Sequence, residues 1–246
     1  MKSLDIIIPT LNEEEFLNKL LTSLDKAVAC LDGKKSNGVS VKVLVADGSS
    51  SDGTEAVALK HQIEFIHSNK KGRGDQISEA YGKSFGDFVL VLHADHIIAE
   101  DGLFKFLNLL EKNQCIEWGI LGHDYDRKNL KMNLVKFANS WRFKFRRSAF
   151  GDQGIFFRRG LLDQQGAFPD QPLMEDVELS LMLKGHQSMR IGTFLTASSR
   201  RWDKQSYLSY ALLVASVVKN YIKNRQGGDK RIEAAEAAKR QYEITK

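Results

Sequence analysis

The sequence predicts an α/β fold: a mostly parallel central sheet flanked by helices, with a helical C-terminal segment. Three observations carry this. Short apolar, β-rich runs alternate with helical stretches through the first hundred residues, the pattern of βαβ units. Clusters of Ser, Thr, Asn, Asp and Gly follow successive runs. The composition, 42% hydrophobic and 27% charged, is that of a globular chain. No repeat, low-complexity stretch or clear linker divides the 246 residues, so they read as one domain.

Taken in order, residues 4–8 form an apolar strand that Pro9 ends. The next helix aligns Leu17, Leu20, Leu21 and Leu24 on one face, with Thr10 or Asn12 as its cap. Residues 33–38 read as a loop, 41–45 as the second strand, and 47–54 as a turn into the second helix. Residues 63–67 are a third strand, a helix opened by Gly72 and Gly74 runs to about Lys83, and 88–92 are a fourth strand. Beyond residue 100 the pattern loosens. Residues 104–110 read as helix, 118–122 as strand, and 131–147 as a basic amphipathic helix. Strand 154–158, helix 176–184 ending at Gly185, strand 189–195, helix 207–222 and a helical tail from Asp229 complete the reading.

Charge and cysteine content exclude several classes. Lys and Arg number 36 against 31 Asp and Glu, a net charge of +5, which suits an anionic small ligand or membrane surface and is too weak for nucleic acid. Cys30 and Cys115 lack metal-like spacing and read as two reduced, buried thiols of a cytoplasmic protein. The first apolar run is too short for a signal peptide, and no stretch is apolar enough to span a bilayer.

Ligands of an open parallel sheet bind beyond the carboxyl ends of its strands. Three polar clusters fall there: Pro9-Thr10-Leu11-Asn12-Glu13, the turn Asp47-Gly48-Ser49-Ser50-Ser51-Asp52-Gly53-Thr54, and His93-Ala94-Asp95. Any one of them alone is ordinary turn chemistry. Three after successive strands point to a site. A fourth feature, Glu175-Asp176, opens a late helix, where acids are common for dipole reasons alone.

The order of these pieces resembles the GT-A-fold glycosyltransferases of family 2. In that family the first strand ends in Pro-x-x-Asn-Glu, the second in an Asp-rich Gly-Ser-x-Asp-Gly-Thr turn and the fourth in an Asp-x-Asp type motif, and an acidic pair opens a late helix. The likeness covers residues 4–202. It extends to a bacterial subfamily named for arsenosugar biosynthesis and radical-SAM neighbourhoods, through Leu92-His93-Ala94-Asp95, Gly151-Asp152-Gln153, Pro172-Leu173-Met174-Glu175-Asp176 and Arg200-Arg201-Trp202.

The resemblance implies an inverting transfer of a sugar from a nucleoside-diphosphate donor, a UDP-sugar by expectation, to a hydroxyl on a small-molecule or lipid-linked acceptor. It implies a nucleotide-binding half over 1–100, an acceptor-binding half over 101–225 and a helical tail over 226–246. Pro9, Thr10, Asn12, Glu13, Asp47, Gly48, Ser49, Arg73, Gln76, His93 and Ala94 would contact the nucleotide. Lys70 and Lys71 read as a solvated loop. Asp95 would hold a divalent metal, Mn²⁺ or Mg²⁺, because hard ions take oxygen ligands and bridge diphosphates. His93 stands where the family has its first acid. It is a second ligand, a phosphate-bonding group or a packed strand-end histidine. Gly48 also departs from the family, where many relatives carry Asp. Asp176 would be the catalytic base and Glu175 would orient the acceptor or its loop. Gly151, Asp152 and Gln153 would line the sugar or acceptor pocket, and Arg200, Arg201 and Trp202 would close over it.

Rival readings fare less well. A dehydrogenase needs Gly-x-Gly-x-x-Gly after the first strand, and a P-loop enzyme needs Gly-x-x-x-x-Gly-Lys-Ser/Thr; neither occurs. A nucleotidyltransferase lacks its Gly- and Arg-rich first loop. The rival from another class is a catalytically inactive module on a membrane surface, supported by the basic aromatic stretch 141–147 and the apolar helix near 208–218. Peripheral contact with the inner membrane face is compatible with either reading.

Overall fold

The computed structural model describes residues 2–33, 38–69, 72–164, 166–192, 194–199, 207–225 and 229–244. The first half follows the expected alternation: β1 (Ser3–Thr10), α1 (Glu14–Gly33), β2 (Ser40–Asp47), α2 (Thr54–Lys60), β3 (Glu64–His67), α3 (Arg73–Gly82) and β4 (Phe88–Val91). β1 lies parallel to β2 and β4, and β2 parallel to β3. The register sets Pro9 opposite Ala46 and Thr10 opposite Asp47.

β1 is apolar almost throughout because it is covered on both faces. Leu4, Ile6 and Ile8 pack with α1 and α4, and Ile7 packs with α3 on the other side. The exception is buried Asp5, which accepts the N–H groups of Phe85 and Gly86 at 2.6 and 2.8 Å and so fastens the turn before β4. Pro9 does not end the strand as expected. The Ile7 carbonyl accepts from Leu92 N–H, so Pro9, two residues on, turns its donorless nitrogen the same way, past the end of the β4 pairing.

The second half comprises β5 (His96–Ile98), α4 (Gly102–Lys112), β6 (Trp118–Ile120), β7 (His123–Tyr125), α5 (Leu130–Arg146), a 3₁₀ turn (Gly151–Gln153), β8 (Ile155–Arg158), α6 (Arg159–Asp163), α7 (Glu175–Met182), β9 (Ser188–Arg190), β10 (Leu195–Ala197), α8 (Tyr207–Asn224) and α9 (Asp229–Ile244). Among the described residues the main sheet has the order β3-β2-β1-β4-β8-β6-β9, with β8 antiparallel to both neighbours. A small sheet, β5-β10-β7, stands apart from it. α8 is fastened to α7 through Glu178, which accepts from Tyr221 Oη at 2.7 Å and pairs with Arg225.

Several expectations need correction. β5, β7 and α6 were not foreseen, being too short to show a period. The run 189–195 is not one strand; it divides between β9 in the main sheet and β10 in the small one. Neither Thr10 nor Asn12 caps α1. Asp52 accepts Glu14 N–H and Thr54 accepts Glu13 N–H, both at 3.1 Å, so the second loop caps the first helix. The two cysteines are free but not both buried: Cys30 is half-buried and Cys115 exposed. Among the described residues no helix is long and apolar enough to cross a membrane.

Candidate active site

The carboxyl ends of β1 and β2 are tied into one network. Asp47, at the end of β2, is buried and accepts Thr10 Oγ1 at 2.9 Å, Ser50 Oγ at 2.6 Å and Ser50 N–H at 2.7 Å. Ser50 Oγ in turn accepts Asn12 N–H at 2.7 Å, and Asn12 Oδ1 accepts Ser51 N–H at 2.8 Å. A carboxylate offers about four acceptor positions. Three here hold the loops together, so Asp47 first of all shapes this corner.

Gln76, from the first turn of α3, joins the network by donating Nε2 to the Thr10 carbonyl at 2.7 Å. Its position explains the departure at residue 48: a Cβ on Gly48 would lie 2.3 Å from Gln76 Nε2. An Asp at 48 has no room while Gln76 occupies this place.

The end of β4 meets the second half of the chain. His93 is buried and stacks on His96, with ring centroids 5.6 Å apart and planes within 7°. His93 N–H donates to His96 Nδ1 at 3.1 Å, and His96 Nε2 bonds the Asp152 carbonyl at 3.0 Å. That chain places the 3₁₀ turn beside the β4 loop. Gly151 N–H donates to Asp176 Oδ2 at 2.8 Å. A Cβ on Gly151 would stand 2.4 Å from His93 Nε2 and 3.6 Å from that same Asp176 oxygen. Glycine at 151 lets His93 close on the turn while Asp176 accepts the N–H of the same residue.

Three of the five non-glycine residues with positive φ among those described lie in these loops: Asn12 at 53°, Ser49 at 71° and Met174 at 66°. Such a conformation costs about 1–2 kcal/mol per residue. Met174 spends it immediately before Glu175, where the chain must turn sharply into α7.

Glu175 and Asp176 occupy different environments. Glu175 is buried, pairs through Oε1 with Arg73 Nε, and leaves Oε2 without a hydrogen-bond partner. Asp176 is half-buried and accepts N–H groups from Gly151 and Val177. Burial, then the Glu175 charge beside it, pushes the Asp176 carboxyl up to about 6, against the pull of Arg73 and the two N–H donors. Burial alone would lower the Arg73 guanidinium; the Glu175 and Asp176 charges overcome it and hold Arg73 above its ordinary value. Arg73, expected at the nucleotide, is thus engaged across the site with the acidic pair.

The other expected residues are distributed unevenly. Pro9 is buried in β1, Glu13 stands at the start of α1, Ser49 lies in the turn after β2, and Ala94 is buried beside half-buried Asp95. Gln153 is buried and accepts Phe150 N–H at 2.9 Å, so it holds the 3₁₀ turn from inside. Asp152 keeps a buried Oδ1 with no hydrogen-bond partner. Arg200, Arg201 and Trp202 lie outside the described residues, as do Lys70 and Lys71.

The sequence reading missed Arg142, His96 and His123. Arg142 was one cation among many on a basic helix. In the structure it lies 3.5 Å over the Phe150 ring and bonds Asn139 and Gln153. Burial lowers its guanidinium, opposed by the Asp152 and Asp176 charges. The available signal was its place on the face of α5 that carries Val135 and Asn139. His96 is pushed down to about 4, chiefly by burial, and burial also lowers His123, whose ring nitrogens are both buried without hydrogen-bond partners. No sequence pattern marks a histidine as buried.

Among the described residues no group of three or more His, Cys, Asp or Glu side chains could hold a metal ion. Asp95 stands half-buried just past the end of β4.

A parallel sheet with its polar loops gathered at the strand ends, crossed by antiparallel β8, defines a GT-A fold of the nucleotide-sugar transferase type. Solved structures agree. TarS 1–349 of S. aureus in complex with UDP-GlcNAc superposes with TM-score 0.63 at 18% identity, over 95% of this chain and 69% of that one. Glucosyl-3-phosphoglycerate synthase of Mycobacterium tuberculosis, in complex with Mn²⁺, UDP and glucosyl-3-phosphoglycerate, gives 0.60 at 16% identity, over 96% and 80%. The mannosyltransferase PcManGT of Pyrobaculum calidifontis, with GDP-Man and Mn²⁺, gives 0.64 at 16%, over 97% and 69%. A longer TarS structure is covered over only 41% of its length. At these identities the likeness establishes the fold. No curated protein sequence matches the chain. Residues 5–162, well over half of the chain, match the model of Glycosyl transferase family 2. The chain belongs to that family.

Proposed function

We propose that the protein is an inverting glycosyltransferase that moves a sugar from a nucleoside-diphosphate donor to an acceptor hydroxyl, with Asp176 as the base. The observation that carries this reading is the convergence at Gly151: Asp176 and His93, from α7 and the end of β4, flank one backbone position. A base on the acceptor side thereby stands next to the strand end that faces the donor diphosphate.

In this reading the acceptor hydroxyl gives its proton to the Asp176 carboxylate as its oxygen forms a bond to the anomeric carbon. The bond from that carbon to the diphosphate breaks on the opposite face, so the configuration inverts. A carboxyl pushed up to about 6 is mostly ionised at pH 7 yet more basic than an ordinary Asp, which suits a general base. Glu175 and Arg73 position it. The loops after β1 and β2, with Gln76, hold the nucleoside, and Asp152 offers its unpartnered oxygen to a sugar hydroxyl. Asp95, with His93 as the second candidate ligand, would hold a divalent ion, Mn²⁺ or Mg²⁺, which would supply positive charge to the departing diphosphate. The single domain works as a donor half over 1–100 and an acceptor half over 101–225. The neighbours' ligands, UDP-GlcNAc, UDP and GDP-Man, support a nucleotide-sugar donor. A UDP-sugar and a place in the arsenosugar-type subfamily are the finer forms of this proposal.

Thermal shift with UDP and GDP, with and without Mn²⁺, tests it apart from turnover. A saturating diphosphate at a hundredfold excess over Kd stabilises by about 2.7 kcal/mol. Asp95→Ala should remove the metal-dependent share and leave the rest. Should Mn²⁺ add nothing in the parent protein, the metal-bridged donor site is wrong.

A further inference from the structure

α5 carries two apolar faces, and only one is packed. Met132 and Val135 bury against Tyr125 and Ala197, and Phe143 buries edge-on against Trp118 at 5.5 Å. The opposite side shows Leu130, Leu134, Phe137, Trp141 and Phe145, exposed by 76, 55, 66, 58 and 61%. Their spacing of four, three, four and four residues keeps them in one stripe along the helix, about 22 Å long. Isolated exposed apolar residues are normal on a protein surface; a continuous stripe of five, two of them aromatics packed at 4.5 Å, marks a contact face.

The charge around the stripe chooses the partner. Residues 127–147 contain eight lysines and arginines and no acid. Lys128, Lys144, Arg146 and Arg147 are exposed at the two ends of the helix, and Lys144 lies over the Phe145 ring at 5.6 Å. Apolar and aromatic residues flanked by cations are the chemistry of a helix lying in the plane of an anionic bilayer. A second copy of the chain would bring the same cations against one another. An acid-bearing partner protein would engage the cations and leave the aromatic stripe without a reason.

We propose that α5 docks the protein peripherally on an anionic lipid surface, with Leu134, Phe137, Trp141 and Phe145 inserted at the acyl boundary and the flanking cations on the headgroups. The inward face of the same helix carries Arg142, which rests on Phe150 beside the Gly151–Gln153 turn. Docking therefore sets the acceptor side of the site near the bilayer. This placement rests on the proposed transfer reaction; the docking itself does not.

Flotation with vesicles of phosphatidylcholine alone, and with added phosphatidylglycerol, reads docking without reading transfer. The parent protein floats with the anionic vesicles and stays behind with the neutral ones, and rising salt weakens the association. The double substitution Phe137→Glu with Trp141→Glu weakens partition about tenfold or more, because it removes two inserted aromatics and adds like charge to the surface. Its melting temperature and UDP-induced thermal shift stay at parent values, since both side chains are exposed. Parent protein that remains soluble with anionic vesicles at low salt overturns the proposal. So does a double variant that floats as well as the parent. A concentration-dependent dimer in sedimentation, abolished by the same pair of substitutions, assigns the stripe to a second copy instead and equally overturns it.

Discussion

The two halves of the site use their polar side chains in opposite ways. After β1 and β2, the polar groups of Thr10, Asn12, Asp47, Ser50 and Gln76 are spent largely on one another. Around α7 and the 3₁₀ turn, Glu175 Oε2 and Asp152 Oδ1 are buried and unspent, and Asp176 carries a raised pKa. Satisfied networks stabilise and specify shape, whereas unsatisfied buried groups cost stability and persist where chemistry needs them. On the proposed function, the first half holds a shape and the second acts. Substitutions should divide the same way, with stability lost in one half and turnover in the other.

The largest expected effect is on turnover. Asp176→Asn keeps the shape and one of the two bonds from Gly151 and Val177, whose N–H groups fall on different oxygens, but loses basicity. Transfer should fall by about 10²–10⁴-fold, some 3–5 kcal/mol of barrier, with the UDP-induced thermal shift unchanged. Near-normal turnover would remove Asp176 as the base. Loss of nucleotide binding together with turnover would place the residue in the scaffold and erase the contrast between the halves.

Asp47→Ala is the counterpart in the first half. It deprives the Thr10 hydroxyl, the Ser50 hydroxyl and the Ser50 N–H of their acceptor at a buried position. Unfolding in urea should show a loss of about 2–4 kcal/mol. If stability holds and only nucleotide binding falls, Asp47 serves the ligand and not the corner.

A smaller effect probes how closely the first half is fitted. Gly48→Asp must displace Gln76, whose amide occupies the space. The substitution should destabilise by about 1–2 kcal/mol, and Gln76→Ala in the same chain should recover much of that, a coupling typical of contacting residues. Additive losses in unfolding measurements would show that the two side chains do not compete.

The same contrast governs what the sequence revealed. β1 to β4 were legible because parallel, doubly covered strands read as continuous apolar runs between amphipathic helices. Beyond residue 95 the strands shrink to three or four residues, too short for a period to show, so β5 and β7 went unseen and 189–195 was read as one strand. Gly151, Asp152 and Asp176 were legible only through family likeness. Arg142 showed only through its place on one face of α5, and His96 and His123 were not legible at all, because their surroundings depend on contacts with residues distant in the chain. Glu175 was recognised, but its pairing with Arg73, 102 residues away, was not foreseen.

The finest test separates Glu175 from Asp176 by pH. Above its folded pKa of about 6, Asp176 is ionised and able to accept a proton; as pH falls through that value, turnover should fall with it. The Glu175 charge helps to hold that pKa up, and Arg73 pulls it down. Glu175→Gln removes the first influence and frees Arg73 to act on Asp176, so both changes favour ionisation. The acid limb of the pH–rate profile should move to lower pH, by up to about one unit, worth ~1.4 kcal/mol. Turnover at pH 7 should drop far less than in Asp176→Asn. Stability supplies an independent sign. A carboxyl whose folded pKa is raised costs stability once it ionises, fully so above the folded value and not at all below the unfolded one near 3.8. Asp176→Asn lacks this titration but also lacks one acceptor for the Gly151 and Val177 N–H groups, so it should gain on the parent in melting temperature as pH rises from 4 to 8. A difference between parent and variant that stays constant from pH 4 to 8 would mean that this carboxyl titrates alike in the folded and unfolded chain and is not tuned as a base.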